Sequence, residues 1–337
     1  TVNAILKDRY GLMWFATEDG LNKFDGVNFT VYKYKSDDST GLQANDVRAL
    51  HEDKSGNLWV GSSGGSLSLY DRKKNSFINF KANSPNNISS DVVRYICSDY
   101  TGMIWVATYS GLDLLDPGSK KITKLSLDQH NSTTSPQTEV NYLFEDSKHR
   151  MWVGSNNGLY LYDRRTNSFI NFKNVDSDHF SLSNNYVSSI AEDHLGNLWI
   201  GTENGLNRLL SDAKGFKNFK HFPDDTVALT SNTIRSISAN NNNQLWIGTN
   251  DGLNILDIQT GSVTRYKPNY RDIYSLSGKS ISCVYIDKQG IYWIGFYRSG
   301  ISKYDSNLNL FHLKKSNIFD LKGLTSSVVT SFAEYKN

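Results

Sequence analysis

All seven tryptophans of this chain occupy one position of an internal repeat. Successive tryptophans are 45, 46, 47, 47, 47 and 47 residues apart, and none lies outside the series. A period in the forties, built from short strand-like runs, is typical of a closed ring of four-stranded blades. The sequence therefore predicts an all-β fold, a seven-bladed β-propeller with four antiparallel strands per blade. The seven tryptophans are Trp14, Trp59, Trp105, Trp152, Trp199, Trp246 and Trp293.

The repeat also predicts the domain organisation. Most chains of 337 residues divide into several domains, but a propeller grows by adding blades that bury their faces against their neighbours. We therefore expect one propeller over residues 1–320. Residues 326–332 have the pattern of a first strand, so we expect 321–337 to be a linker and the first strand of a following module, a second propeller. Because Thr1 lies inside a repeat, we also expect the natural protein to extend beyond it.

Composition argues against several classes of partner. The 36 basic and 34 acidic residues are mixed along the chain, so no basic stripe favours nucleic acid. No apolar run approaches the roughly 18 residues of a membrane-spanning helix, and we expect no membrane contact by this fragment. Cys97 and Cys283 lie in the first strands of non-adjacent repeats, too far apart for a disulfide. We expect both to be small buried apolar residues.

Two positions of the repeat have a clear structural reason. An aspartate six residues before Trp, usually followed three residues later by Gly, predicts a tight turn between two strands, because the carboxylate bonds backbone N–H groups and Gly adopts positive φ. This turn role explains the repeated aspartates better than a metal site does. Two residues after Trp stands Gly or Ala, and we expect a neighbouring blade's Trp to pack closely there.

The repeat resembles the two-component regulator propeller repeat. The resemblance rests on D-R-Y-G-L-M-W-F-A-T-E-D-G-L-N at 8–22 and D-H-L-G-N-L-W-I-G-T-E-N-G-L-N at 193–207, and it extends over all seven units. The chain departs from the pattern at Asn240 and Asn243, which replace Asp and Gly, and at Phe296, which replaces Thr.

The resemblance implies the periplasmic sensor region of a hybrid two-component histidine kinase of the Bacteroidetes type. In that family two propellers are followed by an immunoglobulin-like module, a membrane helix, and kinase, receiver and DNA-binding domains. The resemblance implies an oligosaccharide ligand and control of the genes that use it. It also implies contact with the adjoining second propeller and immunoglobulin-like module, and dimerisation through parts of the parent chain outside this sequence.

Candidate ligand-binding residues lie on the face that carries the loops between the second and third strands and the long crossovers between blades. Arg48, Arg94 and Arg235 share one register, near the rim of the central channel. Their guanidinium groups suit the carboxylate or sulfate of an acidic sugar. The alternative is that each ties to a carboxylate or loop carbonyl of a neighbouring blade.

Aromatic residues on the same face are the second group of candidates. The seventh repeat has a loop one residue longer than its equivalents, in which Tyr297 and Arg298 form a plausible sugar platform. Packing against an adjacent blade or domain is the alternative. Tyr109 lies at the corresponding tip of the third repeat, where an ordinary surface tyrosine is the alternative.

Three classes of function remain open from the residues alone. The first is a non-enzymatic sensor. The second is a propeller enzyme similar to streptogramin-type lyases, which have related repeats, and the third is an interaction scaffold without a ligand. The seven histidines fall at scattered repeat positions without a metal-type cluster. We therefore predict no catalytic residue, no metal and no cofactor in this fragment.

Overall fold

The computed structural model describes residues 1–82, 87–127, 138–211, 214–225, 227–269, 271–272 and 274–305. These residues form seven antiparallel sheets, one for each tryptophan repeat, and they contain no helix. The predicted seven-bladed propeller is confirmed. The predicted linker and further module at 321–337 lie outside the described residues.

Each blade is a meander whose strands, from the channel outward, are called A, B, C and D. Six blades have all four strands, and strands A to C of blade seven fall within the described residues. The strands of blades one to four are β1 (Val2–Lys7), β2 (Met13–Thr17), β3 (Gly20–Phe24), β4 (Phe29–Tyr32), β5 (Val47–Glu52), β6 (Leu58–Ser62), β7 (Leu67–Asp71), β8 (Ser76–Phe80), β9 (Val93–Ser98), β10 (Ile104–Thr108), β11 (Gly111–Leu115), β12 (Ile122–Leu125), β13 (Val140–Glu145), β14 (Met151–Ser155), β15 (Gly158–Asp163) and β16 (Ser168–Phe172). Those of blades five to seven are β17 (Val187–Glu192), β18 (Leu198–Thr202), β19 (Gly205–Leu209), β20 (Phe216–Phe219), β21 (Ile234–Ala239), β22 (Gln244–Thr249), β23 (Gly252–Asp257), β24 (Val263–Tyr266), β25 (Ile281–Ile286), β26 (Ile291–Phe296) and β27 (Ile301–Asp305).

The ring closes by direct packing of blade seven on blade one. Strand β25 lies beside β1, and the backbone N–H of Lys7 donates to the Tyr285 hydroxyl at 3.2 Å. The Lys7 ammonium pairs with Asp287 at 3.0 Å, with the carboxylate buried. The first and last repeats are therefore neighbours in space, as a closed seven-fold ring requires.

The predicted A–B turn is confirmed, and the aspartate has a further role there. In blade two, one oxygen of Asp53 accepts the N–H groups of Ser55 and Asn57, both at 2.9 Å. Its other oxygen accepts the indole N–H of Trp59 at 2.9 Å. Burial acts to raise the pKa of Asp53, but these hydrogen bonds outweigh it and the pKa is lowered. The Trp–Asp bond recurs in blades one, three, four and five.

The glycine two residues after Trp has a different neighbour from the one predicted. A Cβ atom on Gly61, Gly154 or Gly248 would lie 2.5–2.6 Å from a side-chain carbon of the next blade's first A-strand residue. For Gly154 that residue is Val187. The prediction that a neighbouring Trp packs there is wrong. The inner strands converge toward the channel, so the close approach is between strand B of one blade and strand A of the next.

Cys97 and Cys283 are both free thiols, as expected, but each is only half-buried, whereas full burial was predicted. Burial raises the pKa of each, that of Cys283 to about 12. In the part of the chain that the structure describes, no helix is long and apolar enough to cross a membrane.

Candidate functional site

Every blade has an irregularity at the same point of strand A. The pairing of strands A and B skips one residue, eleven positions before Trp. A residue left out of the ladder forms a β-bulge, which changes the direction of its side chain. The seven bulge residues form a ring that lines one end of the channel, and we call them the bulge ring. They are Asn3, Arg48, Arg94, Asn141, Ser188, Arg235 and Ser282.

A second repeated contact forms the rim of this end. In each blade the residue four positions after Trp, at the tip of the B–C loop, donates its backbone N–H to the carbonyl of the residue just before strand A. For Tyr109 the acceptor is Val92 at 3.0 Å, and for Tyr297 it is Ser280 at 2.9 Å. Loop tips and crossovers thus share one face, as predicted, and Tyr109 and Tyr297 occupy equivalent places on it.

The bulge ring opens into a cavity of about 940 Å³, which we call the channel mouth. This volume is near the top of the roughly 300–1,000 Å³ range of small-molecule sites. Four of the six predicted site residues line the channel mouth: Arg48, Arg94, Arg235 and Tyr297. The structure therefore brings the arginine register and one rim tyrosine into one cavity.

Two of the three arginines are neutralised by carboxylates. Arg48 makes two hydrogen bonds to one oxygen of Asp46, at 2.9 and 2.6 Å, within its own blade. Arg94 pairs with Glu139 of the next blade at 2.7 Å. The interblade tie that was the alternative interpretation holds for Arg94, and Arg48 has an equivalent tie inside its blade.

Arg235 has a different environment. Its Nε donates to Oδ1 of Asn250 at 3.0 Å, and the guanidinium is exposed. Within the described residues it has no ion-pair partner. Arg235 is therefore the uncompensated cation of the bulge ring.

Tyr109 and Arg298 lie outside the cavity lining. The Arg94 guanidinium carbon lies 5.4 Å from the ring centre of Tyr109, so this tyrosine contacts an arginine of the channel mouth. Arg298 has the left-handed φ of 57° and lies 5.1 Å from the ring centre of Tyr297. Tyr297 is 48% exposed. Of the loop predicted to be a platform, only Tyr297 lines the cavity.

The sequence interpretation missed two tyrosines inside the channel. Tyr95 and Tyr142, one residue after the bulge in blades three and four, lie with ring centres 4.0 Å apart. Burial raises the pKa of Tyr142, and the hydrogen bond with Tyr95 acts in the opposite direction. The signal in the sequence is that the other five repeats have Ala, Ser or Cys at this position.

The described residues that line the channel mouth include no histidine. Among the described residues no group of three or more His, Cys, Asp or Glu side chains is placed to hold a metal. His51, the histidine nearest the bulge ring in sequence, bonds Ser98 at 2.9 Å, and burial lowers its pKa to about 4. The polar groups present can donate and accept hydrogen bonds and bind an anion.

Comparison with known proteins agrees with the architecture. The family model described as Two component regulator propeller matches residues 41–64, 134–157, 181–204, 228–251 and 275–298. The extracellular domain of a putative hybrid two component system from B. thetaiotaomicron is 27% identical, with a TM-score of 0.75 over 90% of this chain. Histidine kinase P4 from Formosa agariphila is 47% identical over 38 residues, 11% of this chain.

The chain spans only part of these relatives, 39% of the B. thetaiotaomicron domain and 3% of the Formosa kinase. A virginiamycin B lyase from Staphylococcus aureus is 15% identical, with a TM-score of 0.65 over 89% of this chain and 92% of the lyase. At that identity the likeness concerns the fold alone. The matched repeats and the extracellular neighbour confirm the repeat resemblance: the chain carries two-component regulator propeller repeats.

Proposed function

We propose that this chain is the ligand-binding propeller of a periplasmic sensor in a hybrid two-component system. It binds an oligosaccharide at the channel mouth, and the parent protein passes the signal to a histidine kinase and a transcription regulator. The observation that carries the proposal is the bulge ring. The same β-bulge in all seven blades places seven polar side chains of three kinds, Asn, Arg and Ser, in the lining of one cavity.

The chemistry of the channel mouth suits a sugar. Sugars present hydroxyl groups around an apolar ring, so their sites combine hydrogen-bonding groups with aromatic faces. The arginine pairs with Asp46 and Glu139 offer donors and acceptors side by side. Tyr186 and Tyr297 line the same cavity. The proposal of a scaffold without a ligand does not account for a cavity lined by both polar and aromatic side chains.

The remaining parts of the proposal concern the parent protein. We propose that residues 321–337 lead into a second propeller and an immunoglobulin-like module, and that the sensor dimerises through those parts. Similarity to an extracellular domain supports the periplasmic location. The propeller itself is proposed to be non-enzymatic, which fits a described lining of the channel mouth that contains no histidine.

A thermal-shift and calorimetry screen of the chain tests the proposal. The probes are neutral and acidic oligosaccharides of defined length from plant and host glycans. A saccharide present at 100 times its Kd should stabilise the fold by about 2.7 kcal/mol. A saturable rise in Tm, matched by calorimetric heats, supports the proposal. A screen in which no saccharide shifts Tm would contradict ligand binding by this propeller.

A further inference from the structure

The channel mouth has two unlike halves. Blades two to four contribute Arg48, Arg94, Asn141 and the contacting rings of Tyr95 and Tyr142, and we call their side the filled half. Blades five to seven contribute five serines to the lining, beside Arg235, Asn250 and larger residues; the serines are Ser188, Ser236, Ser238, Ser280 and Ser282. We call this serine-rich side of blades five to seven the open half.

Charge is divided in the same way. Asp46 and Glu139 compensate the arginines of the filled half. The acidic residue among the described lining residues, Glu18, belongs to blade one, between the two halves, and pairs with the N-terminus of Thr1. Arg235 belongs to the middle blade of the open half. A cation next to open space, with its counter-charge absent from the described residues, attracts a ligand anion.

The donors around Arg235 are fixed in place. Asn250 Oδ1 accepts from Arg235 Nε at 3.0 Å and from the Ser280 hydroxyl at 3.5 Å. The bond to Asn250 holds the Arg235 guanidinium by its Nε. Among the described residues no hydrogen bond uses its two terminal nitrogens, which form the fork that binds carboxylate or sulfate through two parallel bonds.

Tyrosine side chains line the cavity on both sides of the Arg235 guanidinium. Tyr186 precedes strand A of blade five and Tyr297 is the rim residue of blade seven, so they flank blade six on both sides. Tyr95 and Tyr142 line the same cavity, with ring centres 4.0 Å apart.

We propose that the open half of the channel mouth binds a sugar ring that carries one anionic group, a carboxylate or a sulfate, held by Arg235. This inference rests on the proposed function and specifies its ligand. The anion lies on the guanidinium fork, and the ring lies between the Tyr186 and Tyr297 walls. The uncompensated arginine gives acidic saccharides an advantage over neutral ones, and that advantage decreases with salt.

Defined saccharides in calorimetry and ligand-observed NMR test this inference. The acidic probes are glucuronic acid, galacturonic acid and N-acetylglucosamine 6-sulfate, and their neutral counterparts are glucose, galactose and N-acetylglucosamine. We expect at least one acidic probe to bind about tenfold or more tightly than its counterpart, as is usual for a charge-assisted bond. Comparison of the carboxylate probes with the sulfate probe shows which of the two anionic groups the site prefers. Acetate and inorganic sulfate show whether a bare anion is enough, which would contradict recognition of the ring.

Substitution of Arg235 tests whether this residue causes the preference for acidic saccharides. Arg235→Gln should remove the acidic preference without lowering Tm, while Arg165→Gln, which removes the same charge at a side chain 91% exposed and outside the cavity lining, should leave it intact. Equal binding of acidic and neutral probes, or an unchanged preference in Arg235→Gln, would overturn the inference. If neutral saccharides bind and acidic ones do not, the sensor proposal stands and this inference is wrong. If no saccharide of either kind binds, both are wrong.

Discussion

The inner strands of the propeller end differently on its two faces. On the A–B turn face, an aspartate binds its turn and a tryptophan indole in the same way in five consecutive blades. On the opposite face, the β-bulge is present in all seven blades, but its residue is Asn, Arg or Ser. Backbone geometry repeats on both faces, whereas side-chain chemistry repeats on only one. This difference separates the residues that make the ring from those available to a ligand.

The turn face has its own exceptions, in blades six and seven. Asn240 replaces the aspartate, and its amide donates to the Tyr292 hydroxyl of the next blade at 2.7 Å. The Trp246 indole reaches only Gln244, at 3.5 Å. In blade seven, Asp287 pairs with Lys7, and the buried indole nitrogen of Trp293 has no partner among the described residues. Regularity is thus lowest next to the closure of the ring.

The largest expected loss of stability follows from a change in the repeated A–B turn. Asp193→Ala removes the carboxylate that binds Leu195, Asn197 and Trp199, and leaves a buried indole N–H unpaired. We expect a loss of about 3 kcal/mol, since hydrogen bonds to a charged group contribute roughly 1.5–3 kcal/mol and an orphaned donor adds to the loss. Urea denaturation measures it. Asp193→Asn, which imitates blade six, should lose less, and an Asp193→Ala variant as stable as wild type would break the comparison.

A smaller loss is expected where strand B approaches the next blade. Gly154→Ala places a Cβ 2.6 Å from Val187, and such overpacking costs about 1–3 kcal/mol. The matched control is Ala107→Gly, where the same position already accepts a methyl group, and a loss of only about 0.5–1 kcal/mol is expected. Thermal unfolding of Gly154→Ala with Val187→Ala should show less than additive loss. Additive losses would show that the two side chains do not meet.

A pH dependence of stability is expected at His51. Burial lowers the pKa of His51 from 6.5 to about 4, although Asp53 acts in the opposite direction. As pH falls below about 6.5 the unfolded chain takes up a proton that the folded chain accepts only near pH 4, so stability is lost across this window. The pKa values of three turn aspartates are lowered, namely those of Asp53, Asp99 and Asp287. Their contribution to the stability of the fold is therefore lost only below the usual aspartate pKa of 3.8. His51→Gln should flatten Tm between pH 6.5 and 4, and an unchanged slope would show that another group titrates there.

The sequence predicted the fold well because periodicity encodes it. The tryptophan spacing, the D-x-x-G turn and the shared face of loops and crossovers all follow from the repeat. The site was only partly predictable. Register placed Arg48, Arg94 and Arg235 at the rim, but their partners depend on residues brought close by the bulge and by neighbouring blades. Tyr95 and Tyr142 were missed because one position after the bulge is otherwise small.

The direct test asks whether the residues that build the ring are separate from those that bind the ligand, and it uses one saccharide and two variants. Ser282→Phe fills the open half of the channel mouth at a half-buried serine whose side chain makes no hydrogen bond within the described residues. Asp193→Asn weakens the turn face, far from the cavity lining. Calorimetric titration of the tightest saccharide should show binding lost in Ser282→Phe with Tm unchanged, and binding kept in Asp193→Asn with Tm lowered. Wild-type affinity in folded Ser282→Phe would contradict the channel mouth as the binding site.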